Sequence, residues 1–254
     1  LPKRPEIFSI DIGKTYTCNL YLDKKKKSDP SVIYISLLCE ASYNYWHWTM
    51  EILTKLNTIS EVLKNDFLTK SNKYIFLVDE RAPKQLIDSI EYILQFKVDI
   101  FLLAPGERFF CDKLIYSPSQ SYTLDNAINT PVPDKDFFVN YNATLNLRNK
   151  VLGRMPQKNK GRFPKKIYLY RKLHSIYRPI ANLNKLNQLM LKLNYDFIER
   201  ATLSYSEQIQ IFSNADIVGG MVGAGFTNIL YLPEESNEIL FAPGTSGASF
   251  HIFQ

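Results

Sequence analysis

Short apolar runs rich in β-branched and aromatic residues alternate with segments of helical periodicity along nearly the whole chain. In the first half this pattern predicts strands at 32–38, 73–78, 98–103 and 113–116, with helices at 43–63 and 83–95. Strands that alternate with helices in this way form a mostly parallel sheet with helices on its faces. The sequence therefore predicts an α/β fold.

The alternation is interrupted once and then resumes. Residues 117–136 are polar and predict a loop, 137–152 predict a helix, and 153–164 are basic and punctuated by glycine and proline. Beyond them the pattern predicts strands at 167–170, 195–198, 216–218 and 238–241, with helices at 183–193, 205–212 and around 228–230. We therefore expect an N-terminal Rossmann-like domain at 1–152, a linker at 153–164 and a C-terminal domain at 165–254.

Composition narrows the class of protein. The 254 residues are 45% hydrophobic and 13% aromatic, which indicates a globular chain and excludes intrinsic disorder. Much of the net charge of +6 comes from two basic clusters, 24–27 and 158–166. We interpret both as solvated loops, with contact to an anionic membrane as the functional alternative. Neither cluster interleaves with aromatic residues on a helical face, so no nucleic-acid partner is expected.

Cysteine usage and hydropathy bear on the compartment. Cys18, Cys39 and Cys111 are widely spaced and odd in number, which predicts neither a disulfide framework nor a metal site and suits a reducing compartment. No apolar run approaches the roughly 18 residues of a membrane span, and we expect no signal peptide. The start at Leu1 suggests a fragment of a longer protein. We expect a bacterial cytoplasmic protein, peripheral at the inner membrane, with the ER or Golgi lumen of a eukaryote as the alternative.

A glycine-rich segment near the C-terminus carries the clearest binding signal. The predicted strand 216–218 runs into a turn and a helix, and the residues at this junction are Gly223, Ala224, Gly225, Phe226, Thr227 and Asn228. Glycines let a ligand approach the backbone, and the free N–H groups of a helix start attract an anion. A diphosphate site and a tight turn without a ligand are both consistent with this segment. The dinucleotide pattern G-x-G-x-x-G is not met, because Asn228 occupies the third glycine position.

Two arginines and one glutamate extend this predicted site. Arg171 directly follows a predicted strand, and Arg178 lies in the loop after it. Ligands collect at the carboxyl edge of parallel sheets, and arginine can hold a phosphate with two hydrogen bonds. Glu207 opens a predicted helix and could accept hydrogen bonds from ribose hydroxyls. Each of the three could instead be an ordinary surface residue.

The first long helix carries a second set of polar residues. Asn44, His47, Glu51 and Lys55 share one helical stripe, and Trp48, Ile52, Leu56, Ile59 and Leu63 form its apolar face. An imidazole and a carboxylate one turn apart at a sheet edge are suited to general-base catalysis. The alternative is that His47 and Glu51 only hydrogen-bond each other. Asp134 and Asp136 form an Asp-x-Asp in a polar loop, and we assign no metal role to them and expect no cofactor.

Taken together, these segments resemble glycosyltransferase family 61. This inverting family includes plant xylosyltransferases, animal O-linked N-acetylglucosaminyltransferases and bacterial polysaccharide-biosynthesis proteins. The resemblance covers about residues 40–245, and the segments that carry it are 44–48 with Glu51, 168–171, Arg178 with Asn182, 206–209, 223–228 and 231–233. It implies a GT-B fold, in which two Rossmann-like domains face each other across a cleft and the C-terminal one holds the donor without an obligatory metal.

Two positions depart from the family pattern. Val222 stands where members usually have a histidine, and the proline that often follows the first helix motif is absent, with Lys55 nearby. From the resemblance we expect transfer of a sugar from a nucleotide-sugar donor, UDP-linked, to a saccharide or glycolipid acceptor. Glu51 is the preferred base, with His47 orienting it, and Arg171 stabilises the departing diphosphate. The alternative is a non-catalytic, degenerate transferase that serves as a binding partner subunit.

Overall fold

The computed structural model describes residues 6–11, 17–39, 41–69, 72–123, 137–155, 163–170 and 182–241. A four-stranded sheet lies at the centre of the first half and consists of β3 (Val32–Ser36), β4 (Lys73–Asp79), β5 (Asp99–Leu103) and β7 (Leu114–Ile115). The sheet is fully parallel, and its strand order is β5-β4-β3-β7. The predicted strands of this half are confirmed, with ends that differ by a few residues.

The long helix predicted at 43–63 is present but is not uniform. It consists of α1 (Tyr45–His47), a π-helical segment (Trp48–Leu53) and α2 (Thr54–Val62), and α3 (Lys64–Thr69) follows. The predicted apolar face is confirmed, because Trp48, Ile52, Leu56 and Ile59 are buried and Leu63 packs against them. The next helix, α4 (Lys84–Leu94), also buries one face and ends at Gln95, which adopts a left-handed backbone conformation.

A small additional sheet was not predicted. Strand β1 (Glu6–Asp11) pairs antiparallel with β2 (Thr17–Lys27), and β2 pairs in parallel with β6 (Glu107–Phe110). The interpretation of 24–27 as a loop is therefore wrong, since the register aligns Lys25 with Arg108 and Lys27 with Phe110. Ladder hydrogen bonds between backbone groups do not depend on side-chain hydropathy, so a lysine run can belong to a strand.

The connection between the halves also differs from the prediction. Strand β8 (Tyr122–Thr123) pairs with β9 (Phe137–Phe138), and α5 (Tyr141–Leu152) begins later than the predicted residue 137. The Asn140 side chain caps α5 by accepting a hydrogen bond from the Ala143 N–H at 3.0 Å, which explains why the helix begins there. Asp134, Asp136 and most of the predicted linker lie outside the described residues.

The second half contains another sheet, which consists of β10 (Lys166–Leu169), β11 (Asp196–Ile198), β12 (Ile217–Met221) and β13 (Asn237–Phe241). This sheet is also fully parallel, and its strand order is β11-β10-β12-β13. Helices α6 (Leu183–Lys192) and α7 (Tyr205–Phe212) confirm the prediction. Two parallel sheets flanked by helices establish the predicted α/β class.

The main hydrophobic core draws on both halves. It includes Ile35, Trp48 and Ile90 from the first half, together with Leu169 and Phe212 from the second. Helix α4 packs against α7, and α1 packs against the segment after β12. The domain bounds 1–152 and 165–254 stay a prediction. Within the described residues, no helix is long and apolar enough to cross a membrane.

Candidate functional site

The strand order of each sheet identifies where a ligand would bind. In the first sheet, β3 lies between β4 and β7, so the chain leaves β3 at the point where the strand order reverses. In the second sheet, the equivalent point lies between β10 and β12. Ligands of open parallel sheets bind at the carboxyl ends of the strands at such points. The segments that follow β3 and β12 carry most of the predicted site residues, namely His47, Glu51 and Gly223 to Asn228.

The turn after β3 is held by a carboxylate at the end of β4. Asp79 accepts a hydrogen bond from Ser42 Oγ at 3.1 Å and pairs with the Arg81 guanidinium at 2.6 Å. The hydrogen bonds from Arg81 lower the pKa of Asp79. Ala41 in this turn has a φ of 51°, and Asn44 then caps the helix by accepting a hydrogen bond from the Trp46 N–H at 2.9 Å.

His47 and Glu51 form a buried pair at the start of this helix. His47 Nδ1 lies 2.9 Å from Glu51 Oε1, and the two residues are only 5% and 3% exposed. The π-helical segment begins directly after His47 and contains Glu51. π-Helical turns are rare and occur often at functional sites. The predicted proximity of the two side chains is confirmed, while their catalytic roles stay a prediction.

Two further polar groups adjoin this pair. The Cys39 thiol is hydrogen-bonded to the Glu51 carboxylate, and burial followed by the charge of Glu51 raises the pKa of Cys39 to about 12. Lys55 is 1% exposed, its Nζ donates to the Leu38 carbonyl oxygen at 3.3 Å, and burial lowers its pKa. Sequence reasoning placed Lys55 on the polar stripe but did not single out Cys39, which the turn after β3 brings to Glu51.

The end of β12 is closely packed where it leads into the glycine-rich turn Gly223–Ala224–Gly225. A Cβ atom on Gly220, whose φ is 157°, would lie 2.9 Å from the Leu169 Cβ and 3.2 Å from a ring carbon of Phe226. The helix predicted around 228–230 is present as a 3₁₀ helix (Ala224–Tyr231). Its first turn is closed by the Phe226 N–H, which donates to the Gly223 carbonyl oxygen at 2.8 Å. Close packing therefore explains why residue 220 is a glycine, without reference to any ligand.

A chain of hydrogen bonds joins the two segments. Tyr45 Oη donates to Asn228 Oδ1, and Asn228 Nδ2 donates to Gln208 Oε1 at 3.0 Å. Gln208 Nε2 donates to the Leu203 carbonyl oxygen at 3.1 Å. The side chains of Tyr45, Gln208 and Asn228 are buried, so these bonds are shielded from water. The structure thus connects the helix that carries His47 to the glycine-rich turn.

A comparison with protein families decides which class of protein this arrangement belongs to. The family model described as Glycosyltransferase 61 matches residues 45–239, from the tyrosine of this bridge to the last strand of the second sheet. The chain belongs to glycosyltransferase family 61. No curated protein sequence matches it. This glycosyltransferase therefore has a sugar donor and an acceptor as its substrates.

The donor-site residues of the transferase are described in part. Arg171 and Arg178 lie outside the described residues. Phe226, Thr227 and Asn228 are buried, and the Asn228 amide is engaged by Tyr45 and Gln208. Glu207 is exposed, and its carboxylate accepts hydrogen bonds from Ser204 N at 2.8 Å and Ser204 Oγ at 2.6 Å, which lower its pKa. The predicted donor contacts of these residues stay predictions.

Two other sequence expectations concern charge in the site of the transferase. Val222, at the position where a histidine was expected from the family resemblance, is 1% exposed, so its side chain belongs to the protein interior. In the part of the chain that the structure describes, no three His, Cys, Asp or Glu residues are grouped so that they could hold a metal ion.

Sequence reasoning missed Arg200, which follows β11 and lies beside the glycine-rich turn. Its position just after a parallel strand was the signal that could have found it.

Proposed function

We propose that this glycosyltransferase moves a sugar, with inversion, from a UDP-linked donor to a saccharide acceptor. The observation that carries the proposal is the buried His47–Glu51 pair, whose helix is hydrogen-bonded through Tyr45 to the glycine-rich turn. A base and an anion-binding turn must lie on opposite sides of the reacting carbon for in-line displacement. The bridge holds the elements that carry these two groups in one arrangement.

The proton passes to the His47–Glu51 pair. The sequence prediction preferred Glu51 as the base, whereas we now propose the reverse order. Glu51 Oε1 faces His47 Nδ1, and the Glu51 carboxylate also has the Cys39 thiol as a partner. A carboxylate at Nδ1 holds the imidazole in the tautomer whose Nε2 accepts a proton, and it stabilises the imidazolium that results. His47 Nε2 therefore accepts the proton of the acceptor hydroxyl.

The bond changes follow from that transfer. The acceptor oxygen forms a bond to the anomeric carbon of the donor sugar, while the bond from that carbon to the diphosphate oxygen breaks. The diphosphate leaves with the electron pair. Its negative charge is stabilised by Arg171 and by the backbone N–H groups at the start of the 3₁₀ helix Ala224–Tyr231. Fixed donors of this kind need no reorganisation as the charge develops.

The proposal also covers the fold arrangement of the enzyme and its location in the cell. Two parallel sheets whose carboxyl-end segments contact each other support a GT-B arrangement with the donor on the second sheet. We place the enzyme in the bacterial cytoplasm at the inner membrane face, in capsule or lipopolysaccharide synthesis. The basic composition supports contact with anionic lipids there.

The proposal is tested by assaying the purified chain with UDP-sugars and saccharide acceptors and determining the anomeric configuration of the product. His47→Gln is expected to lower kcat by at least about 100-fold with UDP affinity retained, since a general base contributes this much. Glu51→Gln is expected to cost less, because a group that orients the base contributes less than the base itself. Glu61→Gln is the matched control, since Glu61 lies on α2 and is exposed.

The outcomes separate the parts of the proposal. A larger loss in Glu51→Gln than in His47→Gln would return the role of base to Glu51. A product with retained configuration would overturn the inverting mechanism. Binding of UDP without turnover across several donors and acceptors would favour the non-catalytic partner subunit, for which the apolar Val222 is the supporting observation.

A further inference from the structure

Arg200 lies at the same sheet edge as the predicted donor site. It follows β11, and β11 is the parallel neighbour of β10. The Tyr170 N–H donates to the Ile198 carbonyl oxygen at 3.0 Å, so the two strands end side by side. In the sequence, Arg171 comes just after Tyr170, the residue that follows β10. Arg200 therefore lies at the carboxyl edge of the parallel sheet, where ligands of such sheets bind.

The Arg200 side chain contacts residues of the candidate site. Its guanidinium carbon lies 4.3 Å from the centre of the Tyr45 ring, and Nη1 donates to Gln208 Oε1 at 3.4 Å. A Cβ atom on Gly225 would lie 3.5 Å from Arg200 Nε. Arg200 therefore packs between the helix that carries His47 and the Gly223–Ala224–Gly225 turn. A distance of this size is ordinary van der Waals contact, so the Arg200 guanidinium lies directly against that turn.

No carboxylate balances this cation in the part of the chain that the structure describes. The charge interacts with the ring of Tyr45, and burial lowers the pKa of Arg200. Arg81 provides an internal comparison, because its guanidinium lies 4.5 Å from the Tyr43 ring and also pairs with the Asp79 carboxylate at 2.6 Å. Both of these arginines stack on a tyrosine, but within the described residues Arg81 has a carboxylate partner and Arg200 has none.

We propose that the Arg200 guanidinium binds the diphosphate of the nucleotide-sugar donor. The proposal rests on the proposed function and adds a donor-binding residue to it. Stacking on Tyr45 fixes the plane of the guanidinium. Among the described residues, Arg200 donates one hydrogen bond, to Gln208, which leaves N–H donors that can hold two phosphate oxygens. Arg200 is partly exposed, so a ligand can reach it. It supplies positive charge next to a turn in which residue 222 is an apolar valine.

The test is calorimetric titration of the wild-type chain, Arg200→Gln and Arg200→Lys with UDP, uridine and inorganic pyrophosphate. We expect Arg200→Gln to bind UDP about 10- to 100-fold more weakly, the usual effect of losing a hydrogen bond to a charged group. Arg200→Lys keeps the charge but not the planar pair of donors, so its UDP affinity should be intermediate. Uridine affinity should be unchanged in both variants. Arg154→Gln is the matched control, because Arg154 is also partly buried but donates to the Tyr92 carbonyl oxygen.

The three probes distinguish a failure of this inference from a failure of the proposed function. Wild-type affinity for UDP in both Arg200 variants would show that Arg200 only supports Tyr45, and the inference would be wrong. If the wild type bound pyrophosphate but not UDP, and Arg200→Gln lost pyrophosphate, the anion site would stand and the UDP-linked donor would not. If the wild type bound neither probe, both would fail.

Discussion

The phenol of Tyr45 donates a hydrogen bond to the side-chain oxygen of Asn228, a residue 183 positions away along the chain. Tyr45 lies two residues before His47 on the same helix, and Asn228 lies in the 3₁₀ helix after the glycine-rich turn. The same ring also carries the Arg200 guanidinium on its face. The Tyr45 side chain therefore connects the helix that carries His47 to the 3₁₀ helix after the glycine-rich turn.

Removing this hydroxyl is expected to weaken both stability and turnover. Tyr45→Phe leaves a buried Asn228 oxygen without its donor, which costs about 1–3 kcal/mol of unfolding free energy. For a chain of this size the Tm should fall by roughly 2–12 °C. Turnover should fall as well, since the helix of His47 loses its fixed position relative to the turn. Differential scanning fluorimetry and the transfer assay measure the two effects.

The control for this prediction is Tyr141→Phe, because Tyr141 is 73% exposed and its hydroxyl is accessible to water. It should change neither Tm nor turnover. If Tyr45→Phe behaved like the control, the bridge would contribute nothing to the arrangement of the site.

The neighbouring glycines of β12 should respond differently to the same substitution. In Gly220→Ala the new methyl group would lie 2.9 Å from the Leu169 Cβ on a backbone with φ of 157°, whereas in Gly219→Ala the nearest atoms lie at 3.8 Å. Overpacking costs about 1–3 kcal/mol, and the strained φ adds to it. Chemical denaturation should show a clear loss for Gly220→Ala and little change for Gly219→Ala. Equal effects at both positions would contradict the packing described here.

Alkaline pH should destabilise the fold through Cys39. The pKa of this thiol is raised to about 12 from an ordinary value of 9.0, so folding favours the protonated form. Its contribution to stability is complete below pH 9 and is lost as the pH rises towards 12, by about 1.4 kcal/mol per pH unit. Denaturation curves at several pH values should therefore fall more steeply for the wild type than for Cys39→Ala. Parallel curves would show that the thiol titrates normally.

Thiol labelling gives a second measurement of the same group. At pH 8 the thiolate fraction of Cys39 should be on the order of 10³-fold smaller than that of a free cysteine, so alkylation in the folded protein should be correspondingly slow. Peptide mass spectrometry after brief alkylation, with and without denaturant, resolves Cys39 from the other cysteines. Rapid modification of the folded chain would rule out a protonated, buried thiol.

Glu207 is expected to act on helix α7 more than on the donor. Its carboxylate and the Ser204 hydroxyl form reciprocal hydrogen bonds that cap the helix. Glu207→Ala should cost about 0.5–2 kcal/mol of stability, the usual effect of losing a helix cap, while Glu207→Gln preserves most of it. Calorimetry with UDP tests the ribose contact predicted from the sequence. A loss of UDP affinity in Glu207→Gln at unchanged Tm would assign that contact to Glu207.

The local elements could be predicted because each has a signal within a few residues. Helix α7 has a capping serine, a glutamate three residues later and a buried face, and its predicted bounds are those observed. The stripe of His47 and Glu51 followed from helical spacing alone. The prediction of a loop at 24–27 was wrong, because a strand whose side chains are lysines shows no apolar alternation. Its pairing with β6 depends on backbone groups that are far away in the sequence.

The sequence by itself determined the α/β class, the order of most strands and helices, the polar stripe of the first helix and the glycine-rich turn, since these depend on spacing and residue type. Only the tertiary structure decided that Tyr45 meets Asn228, that Cys39 reaches Glu51 and that Arg200 lies on Tyr45 beside Gly225. The physical reason is that these contacts join segments far apart in the chain, and the periodicity of the sequence predicts only neighbours within one helix or strand. They are set by how the helices of the two halves pack around a common core.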